Sequence, residues 1–151
     1  MVGYFKGVTI YTFSLFYVVV GIKHFTDVNF FSSIMPPYIP FHEFFIYLSG
    51  FFEILFGFLL LFKKTRKFAG IGLIYLLVFI FPANIHLYLS EVAQKALSIT
   101  QNDALIRLPF QLPLMVIAYW HAEENSSRLF NIFCSFLYIP TILYFISLGI
   151  E

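Results

Sequence analysis

The amino-acid sequence predicts an all-α protein, a polytopic bundle of transmembrane helices. Three observations support this prediction: 60% of the residues are hydrophobic, only 11% are charged, and the mean hydropathy is +0.87. These values lie outside the usual range of soluble domains and are typical of integral membrane proteins, so a lipid bilayer is the expected environment. The net charge of +1 gives no reason to expect a nucleic-acid partner. A single Cys134 cannot form an internal disulfide.

Five apolar segments are long enough, or nearly so, to cross a hydrocarbon layer of about 30 Å as helices. In chain order they are residues 7–22 with an extension toward Phe25, 41–62, 68–90, 104–122 and 129–150, the last followed by Glu151. The fourth segment must include Arg107, Pro109, Gln111 and Pro113, because a helix that started after Arg107 would be too short to cross. Arg107 is therefore expected in its first turn, near the lipid headgroups.

Two longer connections separate these segments. The connection over residues 26–40 contains Pro36, Pro37 and Pro40, which exclude a regular helix there and favour a stiff, extended loop on the membrane surface or over the bundle. The connection over residues 91–103 is polar, and part of it is expected to be helical. Residues 123–128 form a solvated turn.

The distribution of positive charge predicts the orientation in the membrane. The densest positive cluster follows the second segment and consists of Lys63, Lys64, Arg66 and Lys67. The positive-inside rule places this cluster in the cytoplasm, and with it the N-terminus and Lys6. The connections at 26–40 and 91–103 then face outward. Five spans place the C-terminus outside the cell membrane.

Glu53 is an ionisable residue at the depth of the membrane interior. Gly50 lies three residues before it and Gly57 four residues after it, so all three share one face of a helix. Small residues let a neighbouring helix approach, and the carboxyl group then points into that contact rather than toward lipid. An ionisable residue at this depth indicates a functional site by default. A protonated or hydrogen-bonded Glu53 that only joins helices is the other interpretation, and both stay open.

Four polar residues are expected to form a ladder that descends from the outer surface. The helix rise places Arg107 about 5 Å, Gln111 and Asn84 about 10 Å, and Glu53 roughly 16 Å below that surface. We therefore predict that Gln111 and Asn84 hydrogen-bond the Glu53 carboxyl group in a small pocket open to the outer leaflet. Arg107 either contacts an anionic ligand or anchors its helix at the headgroups. Aromatic side chains expected at the pocket margins are Tyr17, Phe25, Tyr88 and Trp120, of which Trp120 fits an interfacial anchor better.

Histidines add two candidates to this ligand-binding set, His24 and His86. His24 and His42 fit interfacial positions better than metal-ligand positions, because no His, Cys, Asp or Glu set has ligand spacing. His86 follows Pro82, which predicts a helix kink near residues 78–81, and it either handles protons or faces water near a helix end. No nucleophile–base dyad, phosphate loop or paired carboxylate motif is visible, so no catalytic residue and no metal site are predicted.

An ordered set of short motifs resembles one known family. The motifs are Gly21-x-x-His24-Phe25, Pro36-Pro37-x-x-Pro40, Gly50-x-x-Glu53-x-x-x-Gly57, Arg66, Phe81-Pro82-Ala83-Asn84 and Arg107-Leu108-Pro109-x-Gln111. Over about residues 1–122 the chain resembles the DoxX-like family of small integral membrane proteins. Structural roles are expected for Gly50, Gly57, Pro36, Pro37, Pro40, Pro82 and Pro109 of these motifs.

The resemblance implies a four-helix transmembrane core over residues 1–122, to which residues 123–151 add a fifth transmembrane helix. It also implies association with redox or quinone-linked complexes, as in some members, or a role in assembling larger membrane proteins, as in others. We therefore expect an accessory membrane protein that binds a small hydrophobic ligand, a quinone or a lipid, beside a redox-complex protein. The alternative is a non-catalytic assembly factor, chaperone or accessory subunit for another membrane protein.

Overall fold

The computed structural model describes residues 2–147, which form seven helices and contain no β-strand. The helices are α1 (Val2–Thr26), α2 (Val28–Ile34), α3 (His42–Leu60), α4 (Arg66–Leu89), α5 (Glu91–Ala96), α6 (Gln101–Ala122) and α7 (Arg128–Ser147). The prediction of an all-helical bundle is confirmed. The predicted end of the last segment, residues 148–151, lies outside the described residues.

Four of these helices are long and apolar enough to cross a membrane: residues Gly3–Thr26 of α1, then α3, α4 and α7. Helix α6 is as long, but its first turns are polar and it falls outside this set. Large apolar side chains, such as Tyr75 and Phe79 on α4 and Leu129 and Phe136 on α7, are exposed on the outer surface. A surface of this kind suits lipid tails rather than water.

The connection over residues 26–40 is partly helical, which corrects the prediction of an extended loop. Helix α2 occupies Val28–Ile34, and only the following stretch, which holds the three prolines, is irregular. The prediction extended the effect of the prolines too far, because proline restricts only its own position and the residue before it. Pro36 is fully buried, and its carbonyl oxygen accepts a hydrogen bond of 3.1 Å from His42 Nε2.

Contacts between loops define the two ends of the bundle. Lys6 Nζ donates to the Glu123 carbonyl oxygen at 2.6 Å and to Ser126 Oγ at 3.2 Å. Lys63 Nζ lies 3.8 Å from a Glu124 carboxylate oxygen. The first turns of α1, the α3–α4 turn and the α6–α7 turn therefore share one end, here called the basic end. Helices α2 and α5 pack at the opposite end, here called the cap end.

The main core runs through the middle of the bundle. Phe13, Leu60, Leu73 and Ile117 are fully buried in it, and α7 contributes Tyr138 and Ile142. Helix α7 packs against α6 and α1, so the helix expected as an addition belongs to the same bundle. A smaller core under α2 and α5 closes the cap end and consists of Ile34, Leu87, Ala93 and Ala104.

Candidate functional site

Glycines bring α1 and α3 into close contact around Glu53. A Cβ atom added at Gly21 would lie 2.7 Å from the Gly50 carbonyl oxygen, and one added at Gly50 would lie 2.5 Å from His24 Cβ. One end of the contact is fixed by Ser14 Oγ, which donates to the Gly57 carbonyl oxygen at 2.6 Å. The sequence predicted that small residues on the Glu53 face admit a neighbouring helix, and α1 is that helix.

Glu53 and His24 face each other across this contact. Both are buried, with 3% and 6% of their surface exposed, and His24 Nδ1 lies 3.1 Å from Glu53 Oε2. The same nitrogen lies 3.0 Å from the Val20 carbonyl oxygen, so its single hydrogen has two acceptors. Oε2 has no well-aligned hydrogen bond within residues 2–147. Among the described residues, the His24 contact is therefore the polar support of Oε2.

The cap end covers this buried pair. The ring of Phe31 on α2 stacks on the His24 ring with 3.6 Å between the centroids. Tyr17, seven residues before His24 and on the same side of α1, is buried and its hydroxyl has no partner in the described chain. The Glu53–His24 pair is thus enclosed by α1, α3 and α2.

Asn84 and Gln111 form a separate polar contact between α4 and α6. Asn84 Nδ2 donates to Gln111 Oε1 at 3.0 Å, and Gln111 Nε2 donates to the Leu77 carbonyl oxygen. These bonds differ from the predicted ones, in which both amides reach Glu53. The reason is that the glycines of α3 select α1 as the partner of the Glu53 face, whereas Asn84 and Gln111 lie where α4 meets α6.

A shallow groove follows the same α4–α6 contact. It encloses about 320 Å³ and is almost entirely apolar, with Val78, Phe81, Leu108, Pro109, Gln111, Leu112 and Met115 along its walls. Volumes of this size admit small ligands. Gln111 is the polar residue of this lining, and Asn84 holds its side-chain amide in place.

The remaining candidates are scattered. Arg107 lies on the second turn of α6, with its Nε buried and unpaired among the described residues. His86 is half-buried near the end of α4. Phe25 stacks on Tyr47 outside the groove, and Tyr88 packs against the small core of the cap end. None of these residues lines the groove.

A buried cluster at the basic end was not predicted from the sequence. His121 is only 1% exposed, and its Nε2 lies 3.0 Å from Thr9 Oγ1. Because Thr9 Oγ1 donates to the Lys6 carbonyl oxygen at 2.9 Å, it accepts from His121 Nε2–H. Trp120 is fully buried beside His121 and donates to Asn131 Oδ1 at 2.7 Å, so it is not a pocket margin. The sequence feature that could have indicated this cluster is a histidine in the last turn of an apolar segment.

Residues 2–147 contain no group of three His, Cys, Asp or Glu side chains placed to hold a metal ion. Among the described residues, the carboxyl–imidazole pair, the amide pair and the His121–Thr9 contact are polar features of the bundle, and the apolar groove is a concave one.

The fold defines the chain as a small helical-bundle protein, and its four long apolar helices are compatible with an integral membrane protein. A family model described as a domain of unknown function, DUF8561, matches residues 13–122, which is more than half of the chain. The chain belongs to this family. The matched region ends with α6, so α7 lies beyond it. No curated protein and no solved structure matches the chain.

Proposed function

We propose that this protein binds a small hydrophobic ligand, a quinone or a lipid, in the α4–α6 groove and serves as an accessory component of a membrane redox system. The observation that carries the proposal is an apolar groove of about 320 Å³ with an oriented amide, Gln111, in its wall. Val78 and Leu112 of its lining are exposed on the surface of the bundle, so a ligand dissolved in the bilayer can enter it sideways.

Gln111, held by Asn84, supplies a hydrogen-bond donor for the polar head of such a ligand. Each amide nitrogen carries two hydrogens, and one hydrogen of Asn84 Nδ2 and one of Gln111 Nε2 are used within the protein. The second hydrogen of Gln111 Nε2 suits a carbonyl oxygen, which a quinone ring and a lipid ester both present. In this proposal the apolar walls of the groove hold the lipid tail or the quinone ring. Glu53 and His24 join α1 to α3 and do not contact the ligand.

The redox part of the proposal depends on the resemblance to DoxX-like proteins. Four residues of the groove, Phe81, Leu108, Pro109 and Gln111, belong to the motifs that carry this resemblance. The resemblance to DoxX-like proteins implies that the partner is a membrane-bound redox protein.

We predict that filling the groove abolishes ligand binding. Leu112 lines the groove and is 63% exposed, so Leu112→Trp occupies the space without disturbing the core. Native mass spectrometry of the protein in lipid nanodiscs with added ubiquinone should show a bound quinone for the wild-type protein. The variant should need at least about tenfold more quinone, which corresponds to about 1.4 kcal/mol.

Leu15→Trp is the matched control, because Leu15 is also 63% exposed but lies on α1 away from the groove. It should bind quinone as the wild-type protein does. Equal binding by the two tryptophan variants, or no adduct with the wild-type protein, would refute the proposed quinone site.

An assembly factor or accessory subunit without a ligand is the second candidate. The enclosure of Glu53 favours it, because a carboxyl group sealed between α1, α3 and α2 stabilises the bundle and does not reach a ligand. Crosslinking in membranes separates the two candidates. An assembly factor should crosslink to a stoichiometric membrane partner, and Leu112→Trp should recover the same amount of that partner as the wild-type protein.

We further propose that the basic end faces the cytoplasm and the cap end faces the opposite side of the cell membrane, with α6 as a fifth span. Lys63, Lys64 and Lys67 lie at the basic end, which the positive-inside rule assigns to the cytoplasm. The N-terminus is then cytoplasmic and the C-terminus outside.

Cysteine labelling tests this orientation. Lys64→Cys and Lys95→Cys introduce thiols at exposed positions of the basic end and the cap end, while the native Cys134 is buried. A membrane-impermeant maleimide should label Lys95→Cys on intact spheroplasts and Lys64→Cys only after permeabilisation. The reverse pattern would invert the topology.

A further inference from the structure

Arg107 is a cation without a partner inside the bundle. Its guanidinium makes no hydrogen bond and no ion pair with any residue from 2 to 147. Nε is completely buried, whereas the two terminal nitrogens keep some contact with the surface. A guanidinium in this position normally has an oxygen partner, because burial of an unpaired cation is unfavourable.

The acidic residue best placed to pair with Arg107 is engaged elsewhere. Asp103 precedes Arg107 by four residues, a spacing at which helical ion pairs form. Asp103 Oδ2 instead accepts hydrogen bonds from Thr100 N at 2.8 Å and from Thr100 Oγ1 at 2.6 Å. The bond from Thr100 N, together with the one that Asp103 N donates to Thr100 Oγ1 at 3.2 Å, forms the capping box that begins α6. The Asp103 carboxylate therefore caps the start of α6 and does not pair with Arg107.

A second unpaired group lies on α7, where that helix packs against α6. The Tyr144 hydroxyl is buried, has no hydrogen-bond partner among the described residues, and lies within electrostatic range of the guanidinium. Its ring stacks against Phe110, one turn beyond Arg107, with 4.1 Å between the centroids. Two donors with unused hydrogens thus lie where α6 packs against α7, and neither residue is in the lining of the groove.

We propose that Arg107 and Tyr144 form a binding site for a phosphate group at the outer end of the α6–α7 contact. A guanidinium presents hydrogens in a fixed fork that matches phosphate oxygens, and a phenolic hydroxyl adds a third donor. The helix rise places Arg107 about 9 Å from the start of α6, and basic residues close to the end of a span attract anionic lipid headgroups. An anionic phospholipid or free inorganic phosphate can supply the phosphate group.

The site deepens the assignment of Arg107 as a ligand-binding residue and does not depend on the groove. Tyr144 lies beyond the residues matched by the family model, so the site is completed by α7. Helix α7 would then contribute a ligand contact as well as packing.

Native mass spectrometry of the full chain in detergent tests the site. The probes are phosphatidylglycerol, phosphatidylcholine and inorganic phosphate. We expect one tightly bound phosphatidylglycerol in the wild-type protein. Arg107→Gln and Tyr144→Phe should each weaken it at least about tenfold, the effect of losing one hydrogen bond to a charged group. The Tyr144→Phe variant keeps the ring that stacks on Phe110, so it decides the question if Arg107→Gln fails to fold.

Arg128→Gln and Tyr4→Phe are matched controls, because both residues are exposed and carry the same groups. They should bind phosphatidylglycerol as the wild-type protein does. The wild-type protein could instead bind inorganic phosphate more tightly than the lipid, with this binding lost in Arg107→Gln and Tyr144→Phe. That result would identify a free anion as the ligand. The site would be overturned if Arg107→Gln and Tyr144→Phe bound both the lipid and inorganic phosphate as strongly as the wild-type protein does. Leu112→Trp, which fills the groove, should not change the binding of either probe.

Discussion

Replacing Gly21 with alanine is expected to destabilise the protein by about 2 kcal/mol, although alanine is the better helix former. The added Cβ would lie 2.7 Å from the Gly50 carbonyl oxygen and 2.9 Å from the Ile54 backbone nitrogen. Backbone atoms cannot rotate away, so α1 and α3 must separate. The Glu53–His24 pair lies in this contact and would be disturbed with it. Unfolding of the purified protein in detergent by added sodium dodecyl sulfate measures the change.

Gly7→Ala is the control on the same helix. No atom lies within 4 Å of a Cβ added there, so the substitution should be neutral or stabilising by up to about 1 kcal/mol. The two alanine variants should therefore change stability in opposite directions. If Gly21→Ala proves as stable as Gly7→Ala, the close α1–α3 contact is absent from the protein in solution.

The depth of polar residues could be predicted from the sequence, but the direction in which they point could not. The helix rise placed Asn84 and Gln111 at the same level, and the two side chains are hydrogen-bonded to each other. The face of Glu53 was also predicted, because the spacing of Gly50 and Gly57 fixes it within one helix. Which neighbour meets that face is a tertiary choice, and Glu53 meets His24 rather than the amides.

Residues near helix ends were the hardest to interpret. His121 and Trp120 lie in the last turn of α6, where polar and aromatic residues normally meet the membrane interface. In the fold they are covered by the first turns of α1, with Lys6 Nζ 5.5 Å from the centre of the Trp120 ring. Helix α2 was missed for a related reason: a helix of seven residues has little periodicity, and its contacts with α3 and α5 stabilise it.

Replacing His24 with leucine is expected to destabilise the protein by about 3–5 kcal/mol, among the largest effects of any single substitution. The carboxyl group of Glu53 is 3% exposed and has its polar contact with His24 Nδ1 at 3.1 Å. Leucine would leave this group buried without a partner. The loss of the Phe31 stacking contact adds to the effect, because that ring packs on the His24 ring.

A double-mutant cycle separates the pair from the packing. In His24→Leu/Glu53→Leu both polar groups are replaced by apolar ones, which is often close to neutral for a buried pair, so the double variant should be more stable than His24→Leu alone. His86→Leu is the control, since His86 is half-buried near the end of the neighbouring helix α4, and it should change stability by less than about 0.5 kcal/mol. Additive effects of His24→Leu and Glu53→Leu would show that the two side chains do not stabilise each other. The carboxyl group would then be buried in its neutral form, held by the α1–α3 contact alone.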